Sequence, residues 1–105
     1  METSGQLDLL LLAALARLGP AHGYAVIGAL RTLSGGAFDL AEGTVYPALH
    51  RLERAGAVTS VGDGRTGRRR RVYRLTTAGT VLLAGRRDRW ARFAAAVDRT
   101  VGDDR

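Results

Sequence analysis

The stretch EGTVYPALHRLERAGAVTSVGDGRTGRRRRVYRL, residues 42–75, decides the fold. Its first part is helical. Val45, Leu49 and Leu52 fall three and four residues apart, which puts them on one stripe of a helix from Glu42 to about Ala55. Gly56 then supplies the left-handed exit that helices favour. Past Gly56 the pattern becomes extended. Ala57 to Val61 reads as a short strand and Arg70 to Leu75, with Val72 and Tyr73, as its return. Gly62-Asp63-Gly64-Arg65-Thr66-Gly67 between them is a turn-rich tip. Pro47 removes a helical donor, which is tolerated in a first turn. That moves the expected start of the helix toward Thr44.

Upstream, Tyr24, Val26, Ile27, Leu30 and Leu33 mark a second helix from His22 to Leu33, stopped by Ser34-Gly35-Gly36. Two helices joined by a short glycine-bearing connection make a helix-turn-helix, and the hairpin after it is a wing. Further upstream, Ser4 is expected to cap a helix that runs to Leu18 and ends at Gly19-Pro20. Its leucines cover almost the whole circumference, so it must be buried on every side. A single small domain hardly covers both sides, which is the first sign of a dimer.

Downstream, Thr76 or Thr77 caps a long helix reaching about Val101. Leu83, Trp90 and Val97 recur at heptad spacing beside Phe93, the pattern of a helix–helix seam. Gly85 and the charges of Arg86, Arg87, Asp88, Arg89 and Arg92 interrupt it. The expected fold is mainly α with a small β-hairpin. Residues 1–75 form a winged helix-turn-helix and residues 76–105 a C-terminal dimerisation helix and tail, in a single compact unit. The expected dimer contacts are Leu9, Leu12, Leu83, Trp90, Phe93 and Val97.

With 105 residues, one domain is the natural expectation, and 46% hydrophobic with 25% charged residues is ordinary for a globular chain. Cysteine is absent, which excludes disulfides, thiolate metal sites and a cysteine nucleophile. The apolar run Leu7–Leu18 contains Asp8 and is too short to span a bilayer. No export signal is evident, so a soluble cytoplasmic protein is expected, with no membrane partner. His22 and His50 sit on different helices without surrounding carboxylates, so no metal, cofactor or catalytic site is expected, and no enzyme.

Sixteen basic residues against ten acidic give a formal charge of +6, and every basic residue is arginine. Arg65, Arg68, Arg69, Arg70 and Arg71 crowd the hairpin tip. Their forks suit the phosphates of a duplex, although an isolated basic run is as often a solvated loop. Its place after a helix-turn-helix favours DNA. Thr44 and Tyr46, at the start of the third helix, can address base edges and phosphates in a major groove. Tyr46 serves equally well as a packing residue.

These residues resemble the PadR-like transcription regulators of the short type with a single C-terminal helix. The resemblance rests on Leu18-Gly19-Pro20-Ala21-His22-Gly23-Tyr24, Gly43-Thr44-Val45-Tyr46-Pro47-Ala48-Leu49, Arg51-Leu52-Glu53-Arg54-Ala55-Gly56, Gly67–Thr76 and Gly79, in the family's order. It implies a homodimeric winged helix that represses transcription at a pseudo-palindromic operator. The candidate DNA-binding set is then Tyr24, Thr44, Tyr46, Pro47, His50 and Arg51, with Arg65, Arg68, Arg69, Arg70 and Arg71 of the wing. Some short members take planar aromatic molecules beside a tryptophan of the last helix. Trp90 holds the matching place, with simple dimer packing as the alternative. At Ala41-Glu42 the chain lacks the family's usual capping serine or asparagine. Glu42 there suits either a cytosine edge or the helix dipole. The rival reading is a non-transcriptional adaptor that binds nucleic acid or protein.

Overall fold

The helix that begins the decisive stretch, α3, spans Glu42–Arg54 and follows α1 (Thr3–Leu18), β1 (Ala21–His22) and α2 (Gly23–Leu33). After it come β2 (Val58–Gly62), β3 (Arg71–Leu75) and the long α4 (Thr77–Val101). The computed structural model describes residues 3–62 and 71–102.

The helix exits follow their glycines. After α3, Gly56 takes φ +83°. Its N–H reaches the Glu53 carbonyl at 3.0 Å and the Ala57 N–H reaches Leu52 at 2.9 Å. This pair of bonds is a Schellman exit, in which the left-handed residue folds the chain back over its last turn.

Of the two starts the sequence offered for α3, the structure takes Glu42 and not the later one near Thr44. The helix begins at Glu42, with Ala41 as an N-cap that offers no side-chain bond. The Ala41 carbonyl instead receives both the Thr44 and Val45 N–H groups, at 3.0 and 3.1 Å. Pro47 therefore lies in the second turn. It leaves the Gly43 carbonyl without its helical donor. Gly43 and Pro47 are both exposed, so water can take that place. At α1, the helix extends to Thr3 and takes Ser4 inside it, so Ser4 is not the cap.

The sheet has one strand more than the expected hairpin. Its order is β1-β3-β2, antiparallel throughout. β1 pairs Ala21 with Tyr73, and β2 pairs Val58 with Leu75 and Gly62 with Arg71. Two extended residues after Gly19-Pro20 are too few to show a period, yet they cover an edge of β3 that would otherwise lie open. Tyr73 thereby sits on the central strand and is fully buried.

The core gathers Leu11, Leu12 and Leu15 of α1, Val26 and Leu30 of α2, Val45, Leu49 and Leu52 of α3, with Val58, Tyr73 and Leu83. Leu12 and Leu83 thus belong to the protomer's own interior, which removes them from the expected dimer surface. Leu9 is half-buried.

Thr76 joins the α3 exit to α4. Its Oγ1 accepts the Gly79 N–H at 3.0 Å and donates to the Gly56 carbonyl at 2.6 Å. Its own N–H donates to the Ala57 carbonyl at 3.1 Å. Gly79 passes so close that a Cβ there would stand 1.9 Å from the Ala57 oxygen. Past Leu83 no residue of α4 is buried. The helix projects from the core, and the protomer measures 56 × 28 × 21 Å.

Candidate nucleic-acid interface

One side of α3 faces the core through Val45, Tyr46, Ala48, Leu49 and Leu52. The other carries exposed Gly43, Thr44, Pro47 and Arg54, with His50 and Arg51 half-buried. Steps of three and four keep these residues on one stripe. The stripe holds hydroxyl, imidazole and guanidinium groups, which can hydrogen-bond base edges and phosphates. Tyr24, on the first turn of α2, is 68% exposed. It follows Gly23, where α2 meets the α3 ring of Tyr46.

Tyr46 is 5% exposed. Gly23 makes room for its ring, since a Cβ at Gly23 would lie 2.7 Å from Cε1. The packing alternative is therefore the one adopted. A phenol inside the core sets how α3 sits on α2 and does not lie along a surface phosphate.

Two of the expected DNA-binding arginines are held within the protomer. Arg71 donates through Nε to Ser60 Oγ at 2.9 Å and through Nη2 to the Ser60 carbonyl at 3.2 Å. Ser60 Oγ in turn donates to Glu53 Oε2 at 2.8 Å. This relay fastens the hairpin to the end of α3. Arg51 donates through Nη2 to Asp8 Oδ1. Arg65, Arg68, Arg69 and Arg70 lie outside the described residues, between Gly62 and Arg71, which pair at one end of β2 and β3.

On α4, Trp90 and Phe93 stand 5.7 Å apart, centroid to centroid, tilted by 41°. They line a groove of about 400 Å³ with Gly5, Leu9, Arg86 and Arg89. Among the described residues no group of three or more His, Cys, Asp or Glu could hold a metal ion. No helix among them is long and apolar enough to cross a membrane.

Sequence reasoning missed Asp8, Ser60 and Glu53 as partners of these arginines. A signal for Asp8 existed: a lone carboxylate within a run of leucines has to find a cation if the helix is buried. Ser60 and Glu53 carried no such signal, because both are ordinary on a strand and at a helix end.

Among known proteins, the profile of the Transcriptional regulator PadR-like family matches residues 11–85. Transcriptional regulator Rv3488 of Mycobacterium tuberculosis is 47% identical over 51 residues, covering 49% of this chain and 48% of that protein, so the match spans about half the relative's length. A transcriptional regulator of Clostridium thermocellum superposes with a TM-score of 0.83 at 26% identity, over 93% of this chain and 95% of the other. A PadR family transcription regulator of Clostridium difficile gives 0.72 at 28% identity, over 91% and 98%.

Proposed function

The chain belongs to the PadR-like family of transcriptional regulators, and from that membership we propose that it is a homodimeric repressor that binds a pseudo-palindromic operator. The observation that carries this reading is the α3 stripe of exposed Thr44, Pro47 and Arg54 with half-buried His50, followed in the chain by a hairpin whose connecting segment is rich in arginine. The stripe enters a major groove, Tyr24 flanks it, and Arg65, Arg68, Arg69 and Arg70 hold phosphates. A repressor of this kind acts by occupying DNA that the transcription machinery needs. The second copy covers the projecting half of α4, whose Trp90, Phe93, Val97 and Val101 are exposed.

Selection of bound fragments from random duplexes tests the reading. The expected product is an inverted repeat with half-sites about 34–36 Å apart or a multiple of that. Absence of any enriched sequence overturns it in favour of the adaptor. On the selected duplex, Arg68→Ala with Arg70→Ala should weaken binding to all sequences alike. The same change should flatten the slope of log affinity against log salt by about 0.9 for each phosphate that is no longer neutralised. An unchanged slope removes the wing from the interface.

The groove beside Trp90 supports a second element of the reading, an effector of planar aromatic type. Indole and phenyl faces favour offset stacking on such a molecule, and Leu9 closes the groove from α1. Trp90 is the chain's single tryptophan, so its fluorescence reports occupancy directly. Saturable quenching by a planar aromatic, lost by calorimetry in Trp90→Ala, is the expected result. A silent Trp90 across cationic, neutral and anionic aromatics would leave it as dimer packing. A bound effector relieves repression only if it prefers the DNA-free form of the dimer.

A further inference from the structure

Asp8 is the single acid on α1, and it is 7% exposed. Its carboxylate faces two helices at once. Oδ1 accepts from Arg51 Nη2 on α3, and Oδ2 lies 3.7 Å from Arg86 Nη2 on α4. The Asp8 side chain is 10% exposed, Arg86 23% and Arg51 43%, so the charge cluster grades from the interior of α1 outward. α1 packs against both α3 and α4. One carboxylate therefore ties the helix with the DNA-facing stripe to the helix that projects toward the partner copy.

Stability is a weak reason for this arrangement. Burying a carboxylate is costly, and well-packed apolar residues in place of a buried ion cluster often leave a protein as stable or more so. An apolar contact, however, lacks direction. Leucines at these positions would hold the helices together and permit each to roll or slide. The Arg51 hydrogen bond to Asp8 is directional and is kept only in a narrow range of rotations, while the 3.7 Å ion pair with Arg86 holds α4 at a set distance from the same carboxylate. Arg86 is part-buried: its Nε has no hydrogen-bond partner among the described residues, and its Nη2 faces Asp8 as an ion pair.

We propose that Asp8 is a positioning residue for DNA recognition. By fixing α3 relative to α4, it sets the separation and phase of the two reading helices in the dimer, and so the half-site spacing that the dimer accepts. The inference rests on the DNA-binding dimer described above. Two-fold symmetry doubles its reach, since any roll of α3 against α4 is repeated in the partner about the symmetry-related axis. Arg51, committed to Asp8, then serves alignment, while the salt-dependent affinity comes from the wing.

The test uses the duplex that the wild-type chain selects from a random pool, with derivatives having one base pair inserted or removed between the half-sites. Each such change moves the half-sites by about 3.4 Å and rotates them by about one-tenth of a turn. The wild type should discriminate sharply against both derivatives. Asp8→Asn keeps the shape and one acceptor and loses the charge. It should remain dimeric, bind the selected duplex about tenfold more weakly, and show a smaller penalty for the altered spacers at an unchanged salt slope. Arg86→Gln, at a less buried position, loosens the α4 arm alone and should broaden the spacer profile in the same direction, which keeps the test valid if Asp8→Asn fails to fold. Uniform weakening on all three duplexes in the folded variants overturns the proposal, because a merely structural defect moves every spacer alike. If the wild type selects no duplex, the DNA-binding reading falls and this one with it. If it selects one and both variants keep the wild-type spacer profile, only the role of Asp8 falls.

Discussion

Phe93→Glu combined with Val97→Glu yields a folded monomer that binds the operator about 10²–10⁴-fold more weakly. The expectation comes from where α4 loses its cover. Its last buried residue is Leu83, and beyond it Trp90, Phe93, Val97 and Val101 are 43%, 41%, 38% and 76% exposed. Helices without a packed face are marginal in water, which is why the proposed partner copy is placed against the projecting half of α4. In the proposed dimer, glutamates at these positions meet like charges across the two-fold axis, where a desolvated charge without a counterion is costly. The protomer itself tolerates them because neither side chain contributes to its core. Binding then loses the second half-site, and with it the effective concentration that links the two reading heads. Sedimentation gives the mass, and fluorescence anisotropy on the selected duplex gives the affinity. A double variant that remains a dimer at wild-type affinity would place the seam elsewhere. Leu83→Glu is the contrasting case: at 4% exposure it disrupts the protomer instead of the pair.

Gly79→Ala should lower the unfolding free energy by about 3 kcal/mol, the upper end of what overpacking costs. Helix propensity argues the opposite sign, since alanine is better than glycine inside a helix by about 1 kcal/mol. Tertiary contact decides the outcome. The added methyl would lie 1.9 Å from the Ala57 oxygen, and that neighbour is backbone, which cannot swing aside. The same oxygen accepts the Thr76 N–H, so moving it also strains the bond that seats the start of α4. Because association would make the denaturation midpoint depend on concentration, the midpoint is compared at one protein concentration. A midpoint equal to or above that of the wild type would show that the start of α4 has slack and that propensity governs.

The elements that read clearly from the sequence are those that local chain chemistry specifies. The Val45–Leu49–Leu52 stripe, the exit at Gly56 and the cap of α4, which the sequence placed at Thr76 or Thr77, each depend on residues a few positions apart, and neighbouring backbone alone selects their conformation. The winged helix-turn-helix followed from putting them in order. The family pattern, written in the same short segments, pointed to the same α3 stripe and to Trp90.

Tertiary structure decided what partners what. β1 is two residues long and exists because β3 had an edge to offer it. Pro47 stands in the second turn of α3 because its side of the helix faces solvent. Leu83 looks like a seam residue by period and Leu12 by the apolar circumference of its helix, but neither pattern says whether the facing surface belongs to the same chain or to another. Tyr46 was balanced between DNA and core until Gly23 proved to be the space beneath its ring. Arg71 is held by Ser60 inside the wing hairpin. Asp8 and Arg51, 43 residues apart, met only when α1 was laid against α3. A sequence carries local conformational preference and polarity along the chain. The identity of a buried charge's counterion, or of the surface against an apolar stripe, depends on helix packing geometry. Side chains distant in sequence become neighbours only when that geometry is complete.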